Sequence, residues 1–497
     1  MTINNKIISN VDFLKKKNFL KKKIGLCHGA FDVLHVGHLK HFQEAKKYCD
    51  ILIVSITSEK FIKKGPSQPF FGDSDRSYFL SKIDLVDYIY VSKSYTGLDS
   101  LNKLKPNFYI KGIDYLNKRN DSKLDKEILF CKKNNISVVY TVSEKFSSSK
   151  ILNSKFNVLD KDQHQFLKKI KTKYSINKLI SIFDEISKKT FAISGEPIID
   201  KYTFVDVIGT ATKSPIITSN KQFDEIHDGG SLFVLKVLSE FVKKILFISP
   251  VPSNEIDVSV KKYNTNILIK GHNIGFITPE KRRYLTTNRI RYLYQVNKIN
   301  NFTPKKNFNF FLEDLRNIQN KYPLLYTDFG LGLLGKNQKQ KIVNGALFLN
   351  VQSNSNNYGF NLFSQYKKKP KYLSINQREL ELNNSEKLLN FNEIINLCKN
   401  ISFFPASVTL GMNGSVFVNK NKKIYYCPNF FKDPKDTVGC GDAYFAITSL
   451  LVNSGYNDEV VPFIGNLYAG LHSLNFGNKT IPMKKELLSV LNYFYNF

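Results

Sequence analysis

The sequence predicts an α/β protein built from two domains. Its 497 residues exceed what a single hydrophobic core usually organises. Over the first 155 residues, short apolar runs typical of buried parallel strands alternate with stretches of helical periodicity. A further apolar strand signal begins near position 191, after a polar, lysine-rich stretch. We therefore expect one domain at 1–155, a helical linker at 156–188 and a second α/β domain at 189–497.

Five apolar runs predict the strands of the first domain, and they cover 24–27, 50–56, 86–91, 108–110 and 136–142. After the first run, Leu39, Phe42, Ala45 and Cys49 are spaced for one face of a helix. The alternation favours a doubly wound sheet. Such a sheet binds ligands at the carboxyl ends of its strands, where His28 and Gly29 fall.

The composition is strongly basic, with a formal net charge of +31. Only eight of the 73 basic residues are arginine, and the lysines are spread along the chain. We therefore expect no nucleic-acid partner, although the field would attract anionic substrates. The six cysteines lack the spacing of a metal knuckle or a disulfide scaffold. No apolar run approaches 18 residues, so we expect a cytoplasmic protein without a membrane partner.

The stretch from Cys27 to His38 carries the strongest chemical signal of the first domain, since it joins the first strand to the first helix. His35 and His38 lie three residues apart, on the same side of the first helical turn. The free backbone N–H groups and the positive dipole end at that point suit an anion. Two imidazoles beside them suit a phosphate that changes charge. The alternative is a capped helix that is rich in histidine.

From Gly29 onward the stretch matches Gly-x-Phe-Asp-x-Leu-His-x-Gly-His, and it resembles the signature of the cytidylyltransferase-like nucleotidyltransferases. The resemblance covers about 130 residues. It implies transfer of a nucleotidyl group from ATP or CTP to a phosphorylated acceptor, with release of pyrophosphate and assistance from a divalent metal. It implies His35 and His38 as catalytic donors to the triphosphate. It implies further contacts to nucleotide or phosphate from His28, Gly29, Phe31, Lys64, Arg76, Lys111, Ser147, Ser148 and Ser149.

A second signal runs from Asp436 to Ala443 and precedes an apolar helical stretch. Small residues there let the backbone approach a phosphate, so the N–H groups of 439–442 predict an anion hole. Asp442 is placed where a carboxylate could take a proton from an attacking hydroxyl. The alternative is a glycine turn with an aspartate cap.

This string resembles the Asp-Thr-x-Gly-x-Gly-Asp signature of the ribokinase-like (PfkB) carbohydrate kinases, over about 189–490, and it implies an α/β sandwich. The resemblance implies Asp442 as the catalytic base and phosphate contacts from Gly439, Cys440 and Gly441. It implies a nucleotide loop at Gly411 and Gly414, and sugar contacts from Asp200, Gly229 and Gly230. Asn376 and Glu379 would order Mg²⁺ indirectly.

Two positions depart from that family. Glu196 stands where an aspartate is usual, and Phe233 stands where an asparagine often faces the sugar. A phenyl ring cannot hydrogen-bond a hydroxyl, so an ordinary sugar would lose a contact there. We therefore expect an intact phosphoryl-transfer end and a narrow acceptor range, such as a sugar that already carries a phosphate.

The combination resembles, with the domain order reversed, the bifunctional enzymes that make nucleotide-activated heptose for bacterial surface polysaccharide. It predicts a homodimer that uses Mg²⁺, a nucleoside triphosphate and a sugar or sugar phosphate. Two alternatives stay open. One is a nucleotidyltransferase whose degenerate kinase-like domain binds ligand or holds a dimer, which Phe233 favours. The other is a non-enzymatic basic binding protein, which the intact His35 and His38 disfavour.

Overall fold

The computed structural model describes residues 6–8, 21–62, 69–94, 96–112, 122–141, 159–260, 266–287, 291–343, 346–387 and 390–496. The chain divides into two compact units, one spanning Met1–Asp160 with Asn496–Phe497 and the other spanning Lys161–Tyr495. In the described residues, no helix combines the length and the hydropathy that crossing a bilayer requires.

The first unit contains a six-stranded sheet in the order β1-β4-β3-β2-β5-β6, with every neighbouring pair parallel. The five predicted strands are present, and a short sixth strand precedes them. The strands are β1 (Ile7–Ile8), β2 (Ile24–Gly29), β3 (Ile51–Thr57), β4 (Tyr88–Ser92), β5 (Phe108–Gly112) and β6 (Ser137–Thr141). The helices are α1 (Val36–Lys46), α2 (Asp73–Ser81), α3 (Leu98–Leu104) and α4 (Ser122–Lys133), and a 3₁₀ turn spans Glu59–Phe61.

Both faces of this sheet are covered. In β3, Leu52, Val54 and Ile56 belong to one core cluster. Ile51 and Ile53 belong to another. Successive strand residues point to opposite faces, so a continuous apolar run is what a sheet packed on both sides requires. The expected doubly wound α/β architecture is therefore confirmed for this unit.

The second unit contains a nine-stranded sheet in the order β11-β10-β7-β14-β15-β16-β17-β18-β19, parallel up to β17 and antiparallel beyond it. A separate four-stranded sheet has the order β13-β12-β8-β9. The strands are β7 (Thr190–Gly195), β8 (Pro197–Thr210), β9 (Ile217–Gly230), β10 (Lys244–Ser249), β11 (Ile267–Gly271), β12 (Glu280–Thr286), β13 (Tyr292–Lys298), β14 (Leu324–Asp328), β15 (Leu347–Val351), β16 (Tyr372–Asn376), β17 (Ala406–Thr409), β18 (Ser415–Val418) and β19 (Ile424–Cys427).

The helices of this unit are α5 (Lys161–Lys173), α6 (Ile176–Ile186), α7 (Ser231–Ser239), α8 (Ser253–Val260), α9 (Phe308–Gln319), α10 (Lys336–Ile342), α11 (Gln377–Asn384), α12 (Phe391–Asn400), α13 (Cys440–Asn453), α14 (Val460–Ser473) and α15 (Lys484–Tyr495). Single 3₁₀ turns span Phe363–Gln365 and Gly411–Asn413.

The stretch predicted as a helical linker forms the helices α5 and α6. Phe166 of α5 packs against the rings of Phe430 and Phe463, and Phe183 of α6 packs against Phe241. Ile182 and Phe183 are buried. Because these apolar side chains are covered by the second unit, the two helices are part of its core layer.

Candidate active sites

The first unit turns sharply between the end of β2 and the start of α1. Phe31 has a positive φ of 45°, and His35 is the N-cap of α1. The N–H of His35 donates to Nδ1 of His38 at 3.3 Å, and the two rings stack with centroids 3.9 Å apart. Because Nδ1 of His38 accepts, neutral His38 carries its proton on Nε2. Burial lowers the pKa of His35, which favours the neutral ring at pH 7.

His28 lies at the carboxyl end of β2 and is held between hydroxyl groups. Its Nδ1 is 3.1 Å from Ser55 Oγ, and its Nε2 is 3.4 Å from Thr57 Oγ1. Ser55 Oγ in turn lies 2.6 Å from Ser100 Oγ. A Cβ on Gly29 would press on the ring of Phe31. Three predicted phosphate-binding residues, His28, Gly29 and Phe31, thus form one turn immediately before α1.

The side chain of Arg76, a predicted phosphate contact, is fully buried. Its guanidinium donates to the carbonyls of Ala30 at 2.6 Å, Thr57 at 3.0 Å and Phe71 at 3.0 Å, and to Asp73 Oδ1 at 2.6 Å. These bonds use four of its five N–H groups. Arg76 ties the turn after β2 to α2, and its contact with substrate phosphate stays a prediction.

Lys111, another predicted phosphate contact, also has a partner inside the protein. It is 5% exposed and forms an ion pair with Glu127 Oε2 at 3.3 Å. Glu127 also accepts from Tyr109 Oη at 2.8 Å and from the N–H of Gly97 at 2.6 Å. The Lys111 charge is therefore matched inside the protein. Lys64, Ser147, Ser148 and Ser149 lie outside the residues that the structure describes.

Asp32 is a residue whose role sequence reasoning did not assign. Its carboxylate accepts the N–H groups of Phe70 at 2.9 Å and Phe71 at 3.0 Å. The acidic residue within the histidine string thus fixes the segment before α2, because both of its carboxylate oxygens bind backbone N–H groups of that segment. The donors are backbone N–H groups, so no sequence pattern could have predicted this contact.

The candidate site of the second unit lies at the carboxyl edge of the parallel strands, where such sheets bind ligands. Gly439 is the N-cap of α13 with φ 79°, and a Cβ there would collide with Asn478 and His472. Asp436 fixes the turn, since it accepts the N–H of Val438 at 3.0 Å and that of Gly477 at 2.9 Å. The N–H of Cys440 donates to the carbonyl of Thr437 at 3.2 Å, and the turn places the N–H groups on either side of it at a helix N-terminus, where anions bind.

Asp442 lies in the first turn of α13 and is 8% exposed. Gln352 Nε2 donates to its Oδ1 at 2.6 Å. Burial raises the pKa of Asp442 to about 7, while Gln352 and Lys281 act in the opposite direction. A carboxylate with a pKa near the working pH suits proton abstraction.

A cavity of about 730 Å³ lies beside the anion hole, and its volume suits a nucleotide. The predicted loop borders it, with φ 58° at Gly411 and 92° at Gly414. Apolar side chains at its wall include Met412 and Phe431. Of the residues predicted to bind nucleotide or metal, the cavity brings together Asn376, Gly411, Gly414, Cys440 and Gly441.

Asn376 and Glu379 form a capping box at the start of α11. Asn376 Oδ1 accepts the N–H of Glu379 at 2.8 Å, and Glu379 Oε2 accepts the N–H of Asn376 at 2.7 Å. Glu379 Oε1 accepts the N–H of Ser353 at 3.1 Å, and burial raises the pKa of Glu379 to about 8. In the described residues, no group of three His, Cys, Asp or Glu side chains could hold a metal.

The predicted sugar contact Asp200 is engaged by protein side chains. Arg283 Nη1 lies 2.7 Å from Oδ1, and Asn478 Nδ2 donates to Oδ2 at 3.1 Å. Gly229 and Gly230 are needed for close packing here: a Cβ on Gly229 would press on the Asp200 carboxylate, and one on Gly230 would meet the Glu196 carbonyl.

Lys281 and Arg283 were missed from the sequence. They alternate along β12, which places both side chains on one face, and Lys281 pairs in register with Asp200. Lys281 lies over the Phe329 ring at 5.5 Å and within electrostatic range of Asp200 and Asp442. The spacing of two residues between these cations was the only sequence signal for them. It does not stand out in a chain in which lysine is abundant throughout.

The two departures from the kinase pattern have structural explanations. The Glu196 carboxylate accepts the N–H groups of Phe329 at 2.7 Å, Leu331 at 2.8 Å and Leu333 at 3.1 Å, so it organises the loop after β14. Burial and the nearby Asp328 raise the pKa of the Glu196 carboxyl, while the three N–H donors act in the opposite direction. The expectation that Phe233 occupies a sugar-facing position is wrong.

Phe233 is fully buried in α7, and its ring lies 4.9 Å from that of His472. His472 Nε2 is 3.0 Å from the Val438 carbonyl. Phe233 therefore supports the anion-hole turn from behind, and its phenyl ring costs the acceptor no hydrogen bond.

Comparison with known proteins agrees with both halves of this geometry. Residues 26–154 match the family model described as cytidylyltransferase-like, and the second unit has a ribokinase-like fold. The chain is 40% identical over 115 residues to the bifunctional protein HldE of Helicobacter acinonychis, which is 23% of this chain and 25% of that protein. It is 38% identical over 102 residues to the HldE protein of Aliarcobacter butzleri, or 20% and 21% of the two chains.

The matched segment thus spans about a quarter of the length of these curated relatives. Among solved structures, phosphofructokinase-2 of Escherichia coli in complex with potassium aligns with a TM-score of 0.50 at 12% identity. The alignment covers 62% of this chain and 99% of that one. At that identity the likeness establishes the fold of the second unit and nothing finer.

Proposed function

We propose that this chain is a bifunctional enzyme of nucleotide-sugar biosynthesis. The second unit phosphorylates a sugar acceptor with ATP, and the first unit transfers a nucleotidyl group from ATP or CTP to the resulting sugar phosphate. The observation that carries the proposal is Asp442, a buried carboxylate with a pKa of about 7 at an anion hole beside a nucleotide-sized cavity. The same chain holds the complete histidine string of the first unit.

In the phosphoryl transfer, Asp442 takes the proton of the attacking hydroxyl. The N–H groups of Gly439 and Gly441 stabilise charge that develops on the γ-phosphate. Mg²⁺ bound with the triphosphate would supply further positive charge, and Asn376 lies at the cavity wall where it can orient the hydration of that ion.

In the nucleotidyl transfer, the protein aligns the two phosphates and donates to oxygens that gain charge. His38 is suited to this role because its Nδ1 is occupied and its proton lies on Nε2. The acceptor oxygen attacks the α-phosphorus, and pyrophosphate leaves. The reaction needs no covalent intermediate.

The acceptor of the kinase site is proposed to be a sugar that already carries a phosphate, such as a heptose phosphate. In the part of the chain that the structure describes, Lys281 has no hydrogen bond or ion pair with a protein group, and its nearest ring is Phe329. A partly buried ammonium without a protein partner favours an anionic ligand. We also propose that the enzyme acts in the cytoplasm as a homodimer.

A second candidate function is a nucleotidyltransferase whose kinase-like unit only binds ligand or holds the dimer. The Arg283–Asp200 ion pair favours it, because a sugar would have to share or displace that pair.

The deciding experiment combines the full-length chain with Mg·ATP, Mg·CTP and a panel of heptoses, hexoses and their phosphates. ADP and pyrophosphate are measured separately for every pair. The proposal expects ADP release with one acceptor and pyrophosphate release with the corresponding 1-phosphate. Pyrophosphate release without ADP release would support the second candidate. If neither ADP nor pyrophosphate is released with any pair, both candidate functions are rejected.

A further inference from the structure

Gln352 directly follows β15, and its side chain reaches the base of the second unit. Its Nε2 donates to Asp442 Oδ1 at 2.6 Å and to Asn350 Oδ1 at 2.8 Å. An amide nitrogen carries two hydrogens, so these two bonds use both of them. A flip of the amide would lose both bonds together.

A backbone carbonyl fixes the orientation of this relay. Asn350 Nδ2 donates to the carbonyl of Ser374 on β16 at 2.9 Å. Because a carbonyl can only accept, Asn350 presents its nitrogen to Ser374 and its oxygen to Gln352. Gln352 must then present its nitrogen to Asn350, and the second hydrogen points at Asp442.

We propose that Gln352 is a positioning residue that commits Oδ1 of Asp442 as a hydrogen-bond acceptor and leaves Oδ2 to receive the proton of the substrate. The inference rests on the phosphoryl transfer proposed above. In that step the acceptor O–H bond breaks and its proton moves to Oδ2. The acceptor oxygen bonds to the γ-phosphorus, and ADP leaves with the electron pair of the broken P–O bond.

The charged groups that face Asp442 come from three elements, and the uncharged Gln352 adds a hydrogen bond. Lys281 of β12 favours the carboxylate, while Asp200 of β8 and Glu379 of α11 oppose it. Gln352 favours the carboxylate from the end of β15. Removing this donor leaves the carboxylate less stabilised, so the pKa of Asp442 rises.

The test uses Gln352→Leu in the full-length chain, with the acceptor that the panel identifies. ADP formation from Mg·ATP is followed from pH 5 to 9. We expect kcat to fall roughly tenfold or more, KM for ATP to change less than about twofold, and the acidic limb of kcat/KM to move up by about one pH unit. Asn350→Leu should shift the limb in the same direction but less, because the amide loses its orienting acceptor.

Gln319→Leu is the matched control, since Gln319 is a buried glutamine whose Nε2 donates to the carbonyls of Leu315 and Ile342. It should lower stability without moving the acidic limb. If the acidic limb of kcat/KM lies at the same pH in Gln352→Leu and in Gln319→Leu, the positioning role of Gln352 is overturned.

A readout independent of activity comes from urea unfolding against pH. The folded-state pKa of Asp442 is raised, so its contribution to stability is fully present below its unfolded pKa of about 4 and is lost as pH rises through about 7. In Gln352→Leu that loss should extend about one pH unit higher. If the pH dependence of stability is the same in Gln352→Leu and Gln319→Leu, the inference is contradicted even when no acceptor is found. If stability is lost at the higher pH as expected but no ADP forms, only the proposed function is rejected.

Discussion

One buried cation of the second unit, Lys281, differs from the buried cations of the first unit. In the first unit, Arg76 and Lys111 are matched by protein carbonyls and carboxylates and have little exposure. In the second unit, Arg283 is likewise paired, with Asp200. Lys281 differs, because in the residues described it has no protein hydrogen bond or ion pair and lies over the Phe329 ring. Buried positive charge therefore stabilises the scaffold around the histidine string of the first unit. In the second unit, the Lys281 charge is left for the anionic acceptor that we propose.

The largest effect is expected for a change in the histidine string of the first unit, which should slow nucleotidyl transfer. His38→Ala removes the Nε2–H donor and should cost about 2–4 kcal/mol in the transition state for nucleotidyl transfer. Pyrophosphate release from the triphosphate and a sugar 1-phosphate measures it. His41→Gln is the control, because His41 of the same helix bonds to Thr141 Oγ1 at 2.7 Å, and it should stay within about threefold of wild type. Equal rates in all three proteins would refute the role of His38.

The second prediction contrasts the two kinds of cation. Arg76→Met leaves three backbone carbonyls and Asp73 without their donor, so the free energy of unfolding should fall by about 3 kcal/mol. Lys281→Met leaves no protein acceptor unpaired, and it should change that free energy by less than about 1 kcal/mol while it abolishes phosphoryl transfer. Chemical denaturation measures both variants. A greater loss of stability for Lys281→Met would reverse the comparison.

The smallest effect separates two glycines of the second site. A Cβ at Gly439 would strike Asn478 and His472, whereas one at Gly411 would meet no atom within 4 Å. Both have positive φ, so both alanine variants carry a backbone strain of roughly 1 kcal/mol. Gly439→Ala should add a loss of ATP affinity, because the collision displaces the anion-hole turn. Calorimetry with a non-hydrolysable ATP analogue measures the difference, and equal affinities for the two variants would contradict the anion-hole assignment.

Periodicity and motifs predicted the strands of the first unit, the turn before α1 and the glycine turn before α13, because these follow from local patterns. Burial partners could not be predicted. Nothing local shows that Arg76 meets three carbonyls, or that Phe233 lies behind His472. Glu196 looked like an altered substrate contact, yet its carboxylate binds N–H groups more than 130 residues away. Such roles depend on tertiary neighbours and not on sequence spacing.

The measurement that tests the central claim most directly uses Asp442→Asn in the full-length chain. The variant removes the proposed base, which lies in the first turn of α13 in the second unit. If the two sites act in sequence, nucleotide-sugar formation from an acceptor that lacks the 1-phosphate should fall by about a hundredfold or more. The rate from the sugar 1-phosphate should stay at the wild-type level. A variant that remains blocked when it is supplied with the 1-phosphate would contradict the division of labour between the two units.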